Sequence, residues 1–188
     1  MDHLFQIGGI PLGRMIEISG REGAGKTMLS AIIMGEMQRQ GKMCVFIDGE
    51  HTANRSFFES LGVNFDDLLI SQPNNLEEAL EVMHTLTLVP EVGLIVYDSV
   101  PALPSIQEER TPAGEVKVAS ISKILTPALR RFTPLLAKHQ TSIIFINQMR
   151  DKIGAFSPNP NVVPEDSPGG RALKHNCSIR LYTQRADS

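Results

Sequence analysis

The chain has 188 residues, a formal net charge of -3 and a sequence pI near 6.0. Such a length fits one domain, 1–188, able to bury roughly 70% of its unfolded surface without disulfide or metal staples. The mild acidity excludes a protein coated in positive charge for nucleic acid, but not a local basic loop, because salt screens fields over short distances.

Arg14 to Ser19 alternates and reads as a strand, and the segment "GREGAGKT" follows from Gly20 to Thr27. Next comes "MLSAIIMGEMQRQ", with helical apolar spacing and a stop at Gly41. "MCVFID" is a buried strand, Asn54 to Leu61 a short helix, and "LLIS" a strand. Asn75 to Leu88 is a helix, with Asn74 or Asn75 as its cap. "GLIVYDS" is another buried strand, and Pro101 to Lys117 reads as a polar loop.

Val118 to Lys138 is helical in pattern, with Pro127 and Pro134 expected to kink or break it. "TSIIFIN" is a strongly apolar strand, Arg150 to Gly170 a long proline-containing loop, and "CSIRLY" the last strand. Alternating strands and helices imply βαβ units. The expected fold is therefore α/β, a central mostly parallel sheet with helices on both faces. Cys44 and Cys177 lie beside apolar residues without metal-ligand spacing, which suits small buried hydrophobes in a reducing cytosol. With no apolar run of about 18 residues and no basic-then-apolar N-terminus, the expected location is cytoplasmic.

"GREGAGKT" fits the phosphate-loop pattern G-x-x-x-x-G-K-[ST] at every fixed position. Gly20, Gly23 and Gly25 permit backbone angles that aim N–H groups at a phosphate. Lys26 neutralises phosphate charge, the Thr27 hydroxyl ligates Mg²⁺, and the helix that follows adds its positive end. Asp98, at the end of "GLIVYD", is the expected second magnesium ligand. In a parallel sheet, "VFIDGEH" ends at the same rim, which places Glu50 to deprotonate an attacking water. For Asp48 a structural turn or cap is at least as good a reading as a catalytic one. His51 is read as structural.

These stretches together resemble the ATPase core of the RecA recombinase family: a P-loop NTPase of RecA type. The resemblance runs through "GGIPLGRMIEISGREGAGKT", "GKMCVFIDGEH", "LGVNFDDLLISQP", "LIVYDSVPAL", "IIFINQMRDKIG" and "GGRALKHNCSIRL", in order along nearly the whole chain. It implies ATP and Mg²⁺ as cofactors and DNA-dependent ATP hydrolysis in homologous recombination and repair. Nucleotide would be held by Gly20, Arg21, Glu22, Gly23, Ala24, Gly25, Lys26, Thr27 and Met28. Glu50 becomes the catalytic base, and Gln148 the sensor of the γ-phosphate. Phe57 is the expected adenine-stacking aromatic, with Phe58 in the core, and Asn54 takes the position of an Asp that meets the adenine edge.

The loops near 104–117 and 150–170 correspond to the family's DNA-binding loops. Arg150, Lys152, Phe156 and Lys123 are the candidates for single-stranded DNA, cations on phosphates and an aromatic on bases. The resemblance also implies a homo-oligomer or filament. The segments through which the family docks on neighbouring subunits fall outside these 188 residues, and the loops carry Glu108, Glu109, Glu115, Glu165 and Asp166, which repel phosphate. Two rival expectations stand beside the recombinase: an ATP-binding regulatory module with little hydrolysis, and an ATPase of the same fold that acts on protein.

Overall fold

The computed structural model describes residues 9–111, 121–151, 165–166 and 169–185. Six strands form one sheet: β1 (Met15–Gly20), β2 (Met43–Asp48), β3 (Leu68–Ser71), β4 (Val92–Asp98), β5 (Ser142–Gln148) and β8 (Ile179–Thr183). Their order is β3-β2-β4-β5-β1-β8, and every pairing is parallel. Two short strands, β6 (Arg150–Asp151) and β7 (Glu165–Asp166), pair antiparallel apart from the sheet.

Side chains alternate across the sheet with period two. Val45, Ile47, Ile95, Tyr97, Ile143 and Phe145 belong to one buried cluster. Their neighbours Cys44, Phe46, Leu94, Val96, Ile144 and Ile146 belong to the other. Both faces are covered, so the middle stretches of β2, β4 and β5 are apolar on both sides. Helices α1 (Lys26–Arg39) and α2 (Arg55–Ser60) pack on the second face. Helices α3 (Leu76–Leu86) and α5 (Ile121–His139) cover the first, with α6 (Gly170–Asn176).

Asn75 caps α3, accepting from the Glu78 N–H at 2.9 Å. The expected loop 101–117 contains an extra element, α4 (Ile106–Glu109). Ser105 and Glu108 form a reciprocal capping box there, and Asn75 donates to Glu109 at 3.3 Å. Two acids that looked hostile to phosphate therefore hold the loop's first turn and tie it to α3.

Pro127 and Pro134 do not break α5, which runs as one helix through both. An interior proline costs about 3 kcal/mol. Leu125, Leu129, Phe132 and Leu136 are buried on the opposite side at helical spacing, each contributing roughly 1.5–3 kcal/mol. Both prolines are exposed, so the carbonyls that lose a donor face water rather than core. Tertiary burial outweighs the local penalty.

A buried carboxyl also lies within β1. Glu17, on β1, is fully buried. It accepts from Arg180 of β8 and from Asn147 Nδ2 of β5, the latter at 2.9 Å. Both cysteines are free; Cys44 is buried, Cys177 half-buried, and burial pushes each thiol up to about 12.

Candidate functional site

Parallel strands bring their C-terminal ends to one edge of the sheet, where ligands of open α/β sheets bind. Register fixes which ends are neighbours: Asp48 of β2 lies opposite Asp98 of β4, and Gly20 of β1 opposite Gln148 of β5. Four segments distant in sequence meet along that edge.

The loop between β1 and α1 turns on Gly23 and Gly25, at φ +70° and +81°. A Cβ built on Gly23 meets nothing within 4 Å, and one on Gly25 meets only the end of Met28. The backbone here is open to close approach by an anion. Gly20 is required for a different reason than its phosphate-loop position suggests. Any side chain on it would strike Thr183 of β8, so its glycine serves strand packing. Gly25 caps α1 without a side-chain hydrogen bond, leaving the helix's first N–H groups to point into the loop.

Lys26 is buried, and its Nζ donates to the Arg21 carbonyl at 2.7 Å. Burial lowers its pKa, and the carboxylates of Asp98, Glu50 and Glu22 partly offset this. Thr27 Oγ1 donates to Asp98 Oδ2 at 2.6 Å. Burial raises the Asp98 carboxyl to about 6, with Glu50 and Asp48 adding to the rise and Thr27 and Lys26 opposing it. A hydroxyl and a buried carboxylate in contact form a donor set suited to a hard cation such as Mg²⁺, whose charge would relieve the carboxylate. Thr27 and Asp98 are the residues that would hold it.

Glu50 sits just beyond β2. Its Oε1 accepts from Ser99 Oγ at 2.5 Å and from Gln148 Nε2 at 2.8 Å. The carboxylate and the amide expected to sense the γ-phosphate are thus directly bonded. Ser99 is a residue that sequence reasoning missed, because a serine after a strand-ending Asp carries no motif.

Asp48 resolves in favour of structure. It is fully buried and accepts from the Thr52 and Ala53 N–H groups at 3.0 and 3.1 Å and from Gln72 Nε2 at 3.0 Å. It closes the turn that carries Glu50. Gly49 N–H donates to the Asp98 carbonyl at 2.7 Å, tying that turn to β4. His51 is exposed at φ +55° within the same turn.

Asn54 accepts from the Phe57 N–H at 3.0 Å and so caps α2. Phe57 is 39% exposed, whereas Phe58 is 1% exposed and packs edge-on against Phe46 at 5.0 Å. Phe58→Ala should cost about 3–5 kcal/mol in a denaturant titration. Phe57→Ala should cost under about 1 kcal/mol and leave the fold intact. Equal losses for both variants would show that Phe57 is a core residue rather than a surface available for stacking.

Lys123 is exposed on α5. Two turns further along the same helix, Arg130 joins Thr126, Arg171 and His175 in lining a groove of about 300 Å³ between α5 and α6. Arg130 and Arg171 were not singled out from sequence, since lone arginines on helices are ordinarily solvated. The backbone of Arg150 lies in β6, opposite Asp166 of β7. Lys152 and Phe156 lie outside the described residues.

An all-parallel sheet with a glycine loop, a lysine, a hydroxyl–carboxylate pair and a glutamate–glutamine pair at one edge defines an α/β core of the RecA type. The chain belongs to the RecA N-terminal domain family, whose model matches residues 1–188. It is 42% identical over 188 residues to Protein RecA of Mycoplasma mobile, covering 100% of this chain and 56% of that protein. To Protein RecA of Paracoccus denitrificans it is 41% identical over 188 residues, covering 100% of this chain and 52% of the relative. Protein RecA of Thermus thermophilus is 42% identical over 186 residues, 99% of this chain and 54% of its own length. The chain thus spans about half the length of these curated relatives. Among the described residues, no helix is long and apolar enough to cross a membrane.

Proposed function

We propose that this chain is the ATP-hydrolysing core of a cytoplasmic DNA recombinase, binding Mg·ATP at the strand-end edge and single-stranded DNA beside it, and assembling with further copies on that DNA. The observation that carries the reading is the bond between Glu50 and Gln148, within an edge that also holds Lys26 and the Thr27–Asp98 pair. The open loop from Gly20 to Thr27, with Met28 beside it, cradles the phosphates. Bound Mg²⁺ would supply charge neutralisation at the β- and γ-oxygens. Glu50 takes a proton from water, Lys26 meets the γ-phosphate, and Gln148 reports its presence. Phe57 offers a face to adenine, with Asn54 beside it.

DNA would lie across α5 and α6, where Lys123, Arg130 and Arg171 offer cations, and extend to Arg150, Lys152 and Phe156. The test is binding of single-stranded DNA over a salt series, with and without a slowly hydrolysed ATP analogue, alongside turnover with and without DNA. Five phosphate contacts would give a slope of log affinity on log salt of about -3.5. The reading expects that slope, tighter binding with the analogue, and DNA-stimulated turnover. ATP binding without DNA-stimulated turnover would instead mark a regulatory module. Turnover without DNA binding at low salt would mark an ATPase that acts on protein.

A further inference from the structure

We infer that Ser99 is a positioning residue for Glu50, an inference that rests on Glu50 being the base. Ser99 follows Asp98 at the end of β4 and is fully buried. Its hydroxyl and the Gln148 amide both donate to Glu50 Oε1, at 2.5 and 2.8 Å. Proton uptake at the second oxygen, Oε2, breaks neither bond. The pair therefore fixes the carboxylate's orientation without consuming the oxygen that acts.

The two donors are not equivalent. The Gln148 amide is the group expected to turn toward a γ-phosphate, and in doing so it gives up Oε1. Ser99 is fully buried, and the backbone that carries it is tied on three sides. Val100 N–H donates to the Ile146 carbonyl of β5 at 2.9 Å, and Ala102 N–H to the Ser99 carbonyl at 3.0 Å. The Asp98 carbonyl accepts from Gly49 N–H at 2.7 Å, in the turn that carries Glu50. Ser99 is the donor that stays when nucleotide is bound. Ser99 acts on Glu50 through a directed bond. Direction matters because a displacement of about 1 Å near reacting atoms can cost on the order of 10²-fold in rate.

The test compares Ser99→Ala with Ser99→Thr in the full chain, with single-stranded DNA and saturating Mg·ATP. Ser99→Ala should lower kcat about 10- to 100-fold while KM and affinity for an ATP analogue stay unchanged. Ser99→Thr, which keeps the hydroxyl, should recover turnover. A crystal structure of ligand-free Ser99→Ala should show the Glu50 carboxylate moved or split between rotamers. In a Glu50→Gln background, Ser99→Ala should change the single-turnover rate no further. Wild-type kcat in Ser99→Ala beside an inactive Glu50→Gln overturns the inference and leaves the base assignment standing. Loss of analogue affinity or of the fold in Ser99→Ala also overturns it, by making the hydroxyl a scaffold group. Wild-type turnover in Glu50→Gln overturns the base assignment and this inference with it.

Discussion

Replacing Glu50 with Gln should lower turnover about 10²- to 10⁴-fold while leaving affinity for Mg·ATP where it was. The substitution is nearly isosteric. The carbonyl oxygen of the introduced amide could still accept from Ser99 and from Gln148, so the 2.5 and 2.8 Å contacts have no reason to dissolve. What disappears is the ability to take a proton. The measurement is single-turnover hydrolysis beside equilibrium binding of a fluorescent ATP analogue. A variant that hydrolyses at the wild-type rate would remove Glu50 from the chemistry.

Asp98→Asn should act in opposite directions on stability and on function. In the folded chain the carboxyl sits near 6, above its ordinary value of 3.8. The raised value means that the folded state holds the proton more tightly than the unfolded chain does. Stability in the ligand-free protein is therefore unaffected by this group below about pH 4, falls as pH rises through about 6, and stays lowered above it. The interval corresponds to up to about 3 kcal/mol. Asn can accept from Thr27 without carrying that burden, so the ligand-free variant should melt higher at about pH 7.5 and show a flatter pH dependence between about 4 and 7. If Asp98 holds Mg²⁺ as proposed, Mg²⁺-dependent nucleotide affinity should fall at least about 10-fold, since removing a direct ligand costs no less than removing a supporting group. Thermal melts across pH, with and without Mg·ATP, check both halves. A variant less stable than the parent above the folded pKa, with unchanged magnesium dependence, would show that Asp98 is a structural acid.

What was legible in the sequence was whatever residue identity and spacing determine locally. Gly23, Gly25, Lys26 and Thr27 announced their loop because each position has a narrow chemical requirement. The apolar strands announced a sheet covered on both faces, because period-two alternation vanishes only when both sides are buried. Glu50 and Gln148 were reached through strand ends and resemblance, but their mutual bond depends on the register of β2, β4 and β5, which no local pattern encodes. The same holds for Asp48, whose three donors come from its own turn and from Gln72, beyond β3. Pro127 and Pro134 misled because propensity is local while the burial of Leu125 to Leu136 is tertiary. The helix within the expected first loop was missed because Ser105 to Glu109 looks like polar linker until its reciprocal cap is seen.

The sheet's polarity has a practical corollary. Its other end is closed by short connections at Gln40–Lys42, Thr87–Glu91 and Gln140–Thr141, a full strand length from Lys26 and Glu50. A fluorophore or affinity handle attached there, at Lys42 or Glu91 rather than at the left-handed Gly41 or Gln140, would ride on the molecule without touching nucleotide. If the proposed assembly on DNA forms, such labelled copies would allow the spacing between successive copies to be measured by energy transfer with the opposite rim left unlabelled.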